Sequence, residues 1–519
     1  MTGFWPAFQQ TYLRFDRRVL GLFRIGLSLV LLYDLGRRFP DAALLWSNDG
    51  VLTTASLRKV PQGSPQLSFL FGFESGPSVE LAFAAMGVVF VLYGAGLFTR
   101  WMQVLALVLY SSLNARNLFF EDGGTGTTIL LLGWTLLLPL NDRFSLDALR
   151  RDAALPTLRA RCRSRAEARL PLITFAALCV LLQASVIYLL NAVHKNGHTW
   201  RAGDAVHLVL WQHRVNTPFA LWFAQHEPAW FSPFASSMTK RTELLLPVLL
   251  LWPTQLKLTR PIAFVLALGL HLGIALCLTL GPFSYAMICL VWLAMPGAAL
   301  DELVLRTQRF RGFGWRLARV RARVVATLSR WRLPRLTLPA LWQRRGRALR
   351  EVVLGYMLLV EAGSVLCSNP GVPRALRIHP GPVIDGYKPY VRGFQGWSMF
   401  APDAPTEDGT LVVDAVTRSG RHLDPFNGRA TDFEQIRRGL APHSIAQSDY
   451  FLAMRSSRNS RYRLDLARYV RASPHAPAGD PFVALEAWWV SYVPPKRGSY
   501  EPGPLKKERL WRTKLTRQL

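Results

Sequence analysis

Apolar runs of roughly twenty residues recur along this chain, about the length a helix needs to cross a bilayer. Clear cases are LGLFRIGLSLVLLYDLG at 20–36, VELAFAAMGVVFVLYGAGLF at 79–98, LPLITFAALCVLLQASVIYLLN at 170–191 and PIAFVLALGLHLGIALCLT at 261–279. Arginine-rich connectors separate them. Together these features predict a multi-pass α-helical membrane bundle. The spans fall at about 19–36, 79–98, 101–115, 127–140, 170–191, 241–253, 261–279, 281–297 and 351–367, about nine in all.

The charge supports this arrangement. The formal net charge of the 519 residues is +29. Basic residues concentrate in the connectors 141–169, 254–260 and 298–350, and nine crossings from a cytoplasmic N-terminus put all three on the cytoplasmic side. The expected location is therefore the plasma membrane, as a bacterial inner-membrane protein in contact with membrane lipid. Basic residues that border apolar runs are accounted for by anionic lipid, so no nucleic-acid partner is expected. Connector 301–350 is rich in helix formers and should lie as amphipathic helices on the membrane surface.

From about residue 369 the chain turns polar and rich in Pro and Gly. TLVVDAV at 410–416 and FVALEAWWVSYV at 482–493 have strand composition, and Arg418, Ser419 and Gly420 form a turn between strands. This predicts a small β-rich exoplasmic domain over 369–519. It follows a transmembrane domain at 1–300 and a last transmembrane helix at 351–368. The segment GFQGWSMFAPDAP at 393–405 is aromatic enough to fold back onto the helices.

Ionisable residues inside apolar spans are costly and point to a bundle interior or a wet cavity. Arg24, Asp34 and Glu243 are of this kind, and His271 is the imidazole on the seventh span. The stretch 188–217 follows the fifth span and carries Lys195 between His194 and His198, then Trp200, His207 and His213. Four of the ten histidines lie in it. An amine and several imidazoles at a membrane edge suit proton chemistry; they also suit an ordinary interfacial loop, where lysine reaches toward water. The loop RNLFFEDGGTGTT at 116–128, with Asp122 and Thr125, falls on the same side. No Gly-rich phosphate loop, hydrolase nucleophile pattern or metal-ligand spacing occurs, and no metal is expected.

Several of these pieces resemble one family: LGLFRIGLSLVLLYD at 20–34, LYGAGLFTRW at 92–101, RFSLDAL at 143–149, the spacing from Lys195 to Trp200, and LHLGIALCLTLGPFSYAM at 270–287. With WSM at 397–399 and LDPFNG at 423–428, they resemble vitamin K-dependent γ-glutamyl carboxylase and its bacterial relatives, and the first set resembles that family's HTTM domain. The resemblance implies a lysine that works with reduced vitamin K or menaquinol and oxygen to remove a proton from a protein or peptide substrate, with carbon dioxide then added. On it, Lys195 corresponds to the lysine, His271 to the histidine of the later span, and Trp397 and Met399 to pocket residues.

The chain departs from the family at one place. The family's Asn-His pair before the fourth span corresponds to Gly124-Thr125 here, so that imidazole is absent. Lys195 and His198 are then the candidate catalytic residues, with Asp122, Thr125, Trp200, His271, Trp397 and Met399 around a quinone or substrate pocket. A desolvated lysine amine suits base chemistry. Two other readings stay open: a lipid, quinone or solute binder or transporter built around Arg24, Asp34, Glu243 and His271, and a scaffold acting through the exoplasmic domain.

Overall fold

A computed structural model describes residues 3–58, 67–120, 122–153, 157, 170–307, 340–369, 372–377, 395–438 and 444–516. The main helices are α1 (Arg17–Arg38), α2 (Gly76–Ala95), α3 (Thr99–Arg116), α4 (Gly123–Thr135), α5 (Phe175–His194), α6 (Phe231–Leu251), α7 (Leu256–Cys277), α8 (Phe283–Trp292) and α9 (Ala340–Ser368). Local chemistry sets several starts. The Asp16 carboxylate accepts the Arg18 N–H at 2.7 Å at the head of α1, and Asp122 with Thr125 forms a capping box at the head of α4. Gly96, at φ 70°, closes α2.

Five of these segments are long and apolar enough to cross a membrane: Arg17–Trp46, Gly76–Ala95, Phe175–His194, Leu256–Cys277 and Arg344–Ser368. Among the described residues, five of the nine expected spans meet both criteria. The other four predicted spans coincide with helices that fail one of those criteria. α4 and α8 have 13 and 10 residues, short of the roughly 20 that a full crossing takes. α3 and α6 are long, but α3 ends in polar residues and the first half of α6 is the polar stretch SPFASSMTKRTE. α6 starts at Phe231, ten residues ahead of the expected span at 241–253.

The helices lie against one another with their ends matched. At one end, Arg17 bonds Asp142 and the Leu170 carbonyl, Arg18 reaches Asp301, and Thr174 meets Glu351. This is the end that bears the basic connectors, whose residues 158–169 and 308–339 lie outside the described residues. Leu29, Leu81, Val88, Trp101, Val108 and Leu359 stay more than half exposed on the bundle's outer surface. That much outward apolar side chain matches contact with lipid rather than water.

Two of the interior charged groups are held by several partners. Arg24 is fully buried and donates to the carbonyls of Gly94, Leu140 and Phe144. Asp34 is held by Arg37, by Arg38 and by the Tyr110 hydroxyl at 2.8 Å. Both residues hold helices together.

The C-terminal part is a small sheet, β1 (Asp408–Thr417), β2 (His422–Leu423), β3 (Phe482–Tyr492) and β4 (Lys506–Lys514), in the order β2-β1-β3-β4. β1 and β3 pair antiparallel with Leu411 opposite Trp489 and Val413 opposite Ala487. α10 (Ile445–Arg455) packs on β1 and α11 (Arg463–Arg471) on β3. Strand β4 was not expected from the sequence: KKERLWRTK is a solvated edge with too little apolar alternation to signal a strand. LDPFNG forms a tight turn in which Asp424 accepts the Phe426 N–H at 2.8 Å and Gly428 sits at φ 72°.

Candidate functional site

Near the end of the bundle opposite the basic connectors, α5, α6 and α7 enclose a cavity of about 540 Å³. The size falls within the range of small-molecule sites. Its walls are mostly apolar, from Ile187, Leu266, Leu270 and Ile274 to Phe231 and Phe283. Tyr188 and His271 each lie six residues from the end of their helix, or about 9 Å along its axis. The floor of the cavity is therefore below the helix ends.

A small set of polar groups interrupts these walls. Lys195, the residue that ends α5, donates its Nζ–H to Glu243 Oε1 on α6; both side chains are buried. The Lys195 Nζ also lies 5.0 Å from the centre of the Trp200 ring. Across the cavity the Tyr188 hydroxyl meets His271 Nε2 at 2.9 Å. Two buried polar atoms on these lining residues have no hydrogen-bond partner, Glu243 Oε2 and His271 Nδ1. A buried polar atom without a partner is costly, so such a pair in an apolar chamber suits a ligand with a polar ring or head and an apolar body.

The cavity has a side opening. Phe234 on α6 and Val265 on α7 line it, yet are 56% and 64% exposed on the outer face of the bundle. Gly269 and Gly273 of α7 also line it, and a side chain added at either would meet nothing within 4 Å. The groove between α6 and α7 thus leads toward the lipid-facing surface.

Residues 395–403 form the lid. Gln395 binds Gln183 and Glu361, the Trp397 carbonyl stands 2.7 Å from His194 Nδ1, and the Met399 N–H donates to Asn191 Oδ1 at 3.1 Å. Trp200 Nε1 donates to the Phe400 carbonyl at 2.7 Å, and Asp403 accepts from Thr199. This places Met399 and Phe400 in the cavity wall.

The residues singled out from the sequence divide accordingly. Lys195, Trp200, His271, Met399 and Glu243 line the cavity together. His198 is exposed on the short helix His198–Ala202 and does not line it. Trp397 is buried beside the cavity, its Nε1 spent on Gln395 at 2.8 Å. Asp122 and Thr125 lie at the head of α4, bonded to each other and outside the wall. Burial pushes the Asp122 carboxyl up to about 6, although a third of the side chain reaches the surface and Arg37, 3.5 Å away, pulls the other way. Arg24 and Asp34 lie elsewhere in the bundle.

The Gly124-Thr125 pair, where the sequence resemblance implies Asn-His, has a steric explanation. A side chain at Gly124 would come within 2.3 Å of the Phe283 backbone nitrogen, and the Phe283 ring stands 5.5 Å from His271. Glycine lets α4 press against α8 here. The position cannot take an asparagine without moving the helix that backs His271.

Sequence reasoning did not single out Tyr188 and Asn191, nor the pairing of Lys195 with Glu243. A signal was present: Tyr188, Asn191 and Lys195 have i, i+3, i+7 spacing, which is one helix face. The other histidines of the stretch are taken up by the junction with the sheet domain. His207 lies between Glu227 and the Pro495 carbonyl, and His213 bonds Asp408 at 2.6 Å and Tyr492 at 2.8 Å.

Residues 127–297 match the family model described as the HTTM domain. The matched region includes α5, α6, α7 and the whole Lys195–Glu243–His271 constellation. No curated protein and no solved structure matches the chain.

Proposed function

We propose that this protein is a plasma-membrane enzyme, N-terminus cytoplasmic and sheet domain exoplasmic, that uses a reduced quinone drawn from the bilayer. The observation that carries the reading is the Lys195–Glu243 pair in the wall of an apolar cavity with a groove toward lipid. Glu243 Oε2 and His271 Nδ1, both unmet, fit the two ring oxygens of a quinol, and the groove at Gly269 and Gly273 fits an apolar tail. A quinol such as reduced vitamin K or menaquinol, bound with oxygen, supplies the reducing equivalents and the base strength for removing a weakly acidic proton. Carboxylation by carbon dioxide of a peptide at the exoplasmic face would then follow.

The chain's own residues hold and move protons. Glu243 and Lys195 act as one unit, with the second carboxylate oxygen free to accept a hydroxyl proton while the first keeps the amine in place. Tyr188 fixes the ring of His271 so that Nδ1 faces a ligand. The Trp200 ring and the Phe400 lid cover the amine and keep water from it.

The test supplies lipid-embedded protein with menaquinol or reduced vitamin K, oxygen, labelled bicarbonate and a glutamate-containing peptide. Oxidised quinone product and peptide label are expected, with turnover lower by at least about 100-fold in Lys195→Ala at retained fold. Unchanged turnover in that variant removes Lys195 from the chemistry.

A second reading, binding or carriage of a quinone or lipid without turnover, is favoured by one observation. The amine is already committed to Glu243, an arrangement that also serves to anchor a polar head. Saturable quinone binding with no product would select it.

A further inference from the structure

A second cavity, of about 460 Å³, lies at the other end of α7, among the basic connectors. Its lining brings together Arg14, Lys257 and Arg260 with a single carboxylate, Asp16. That carboxylate is already taken: Arg18 donates to it through its backbone N–H at 2.7 Å and its side chain at 2.9 and 3.1 Å. Arg14 and Lys257 pair with no carboxylate among the described residues.

Arg260 is the telling residue. It is 5% exposed, yet it sits in the first turns of an apolar helix. One guanidinium nitrogen donates to the Thr11 carbonyl at 2.6 Å, and Nε has no partner. A buried cation with an unmet donor and no counter-charge is unfavourable unless an anion joins it. The head of α7 adds to the same field. Gln255, at φ 53°, makes no side-chain cap, and Leu256 and Lys257 of the uncapped first turn line the cavity. The N-terminus of a 22-residue helix, three cations and one neutralised carboxylate form an anion site.

We propose that this cavity binds a phosphate ester. The source that best fits the surroundings is an anionic lipid headgroup. Leu258 and Ile262, just along α7, are 56% and 40% exposed, and would lie beside the acyl chains. Phe4 and Trp5, also exposed, form the aromatic edge of the neighbouring helix Phe4–Tyr12. A free phosphate ester has the same headgroup chemistry and is distinguished by the experiment.

The full-length protein is placed in nanodiscs of phosphatidylcholine with or without phosphatidylglycerol, and retained lipid is read by native mass spectrometry. Phosphatidylglycerol retention is expected, about fivefold weaker for each of Arg14→Gln and Lys257→Gln and unchanged in Arg347→Gln on the same end of the bundle. Arg260→Gln should abolish it. Because that variant also removes a buried charge, its thermal midpoint is read alongside, and the two exposed-cation variants carry the test if it misfolds. Inorganic phosphate at millimolar concentration is the other arm. Displacement of the lipid by phosphate, or phosphate binding in phosphatidylcholine discs with the same variant pattern, identifies a site for free phosphate esters. Retention unaffected by the Arg14 and Lys257 variants, or lowered equally by Arg347→Gln, overturns the proposal in favour of diffuse surface charge.

Discussion

Lys195 and Glu243 are 48 residues apart in sequence and meet as a buried pair, one at the end of α5 and the other in the polar half of α6. Removing one partner strands the other charge. Glu243→Gln or Lys195→Ala should each lower stability by about 3–5 kcal/mol. The joint replacement Lys195→Met with Glu243→Leu should recover most of that loss, since apolar residues of similar volume fill such a site without the cost of desolvating charge. Unfolding in lipid–detergent mixtures, as a double-mutant cycle, gives the coupling. Purely additive losses would show that the two side chains do not depend on each other.

Tyr188→Phe separates holding from binding. The hydroxyl is the partner of His271 Nε2, and its loss leaves both ring nitrogens of a buried imidazole unmet. The expected cost is about 1–3 kcal/mol in stability. Quinone affinity, followed by fluorescence quenching of Trp200, should fall about two- to tenfold, the worth of one neutral hydrogen bond, because the ring is no longer fixed. An affinity equal to that of the unaltered protein would mean that His271 does not contact the ligand.

The junction between the loop and the sheet domain should respond to pH through His207. Burial alone would lower the imidazole, but its hydrogen bonds to Glu227 and the Pro495 carbonyl outweigh that, and the net direction is upward from 6.5. Both neighbours accept, so both ring nitrogens donate in the docked form. A folded-state pKa above the unfolded value contributes stability that is fully present below about pH 6.5 and is lost as pH rises through the raised value. Hydrogen exchange in β3 should therefore speed up from pH 6.5 toward 9 more than intrinsic chemistry accounts for. His207→Gln should flatten that excess, and an identical excess in the variant would assign it to another group.

Periodicity and charge revealed much of the fold and part of the site. The apolar runs correctly marked the helices because lipid contact demands apolar side chains all round, a signal that needs no tertiary knowledge. The same signal also marked two helices too short for a full crossing. α4 and α8 are apolar because they are packed inside the bundle, and composition alone does not distinguish a protein interior from a bilayer. Lys195 and His271 drew notice as charged or titratable groups beside apolar runs. Their meeting with Glu243 and Tyr188 was hidden, since it depends on how α5, α6 and α7 pack. The partners of two histidines in the 188–217 stretch were hidden for a related reason. His207 and His213 have partners at Pro495, Asp408 and Tyr492, hundreds of residues away, and only the folded chain shows that they form a domain junction.

The proposed orientation makes a prediction independent of activity. Lys496 is exposed beside the sheet domain and Arg347 is exposed near the start of α9. In a background with the native cysteines replaced, Lys496→Cys should react with a membrane-impermeant maleimide in intact spheroplasts, and Arg347→Cys only after permeabilisation. The physical reason is the charge bias: connectors 141–169 and 298–350 are arginine-dense and 254–260 adds Lys257 and Arg260, and such basic sequence favours the cytoplasmic side during insertion. The assay also decides which leaflet each cavity serves, because Lys195 lies at the end of the bundle that carries Lys496, and Arg260 lies at the end that carries Arg347. Labelling of Arg347→Cys alone would invert the protein. The anion cavity would then face the outer leaflet, and the Lys195 cavity and its peptide would be on the cytoplasmic side.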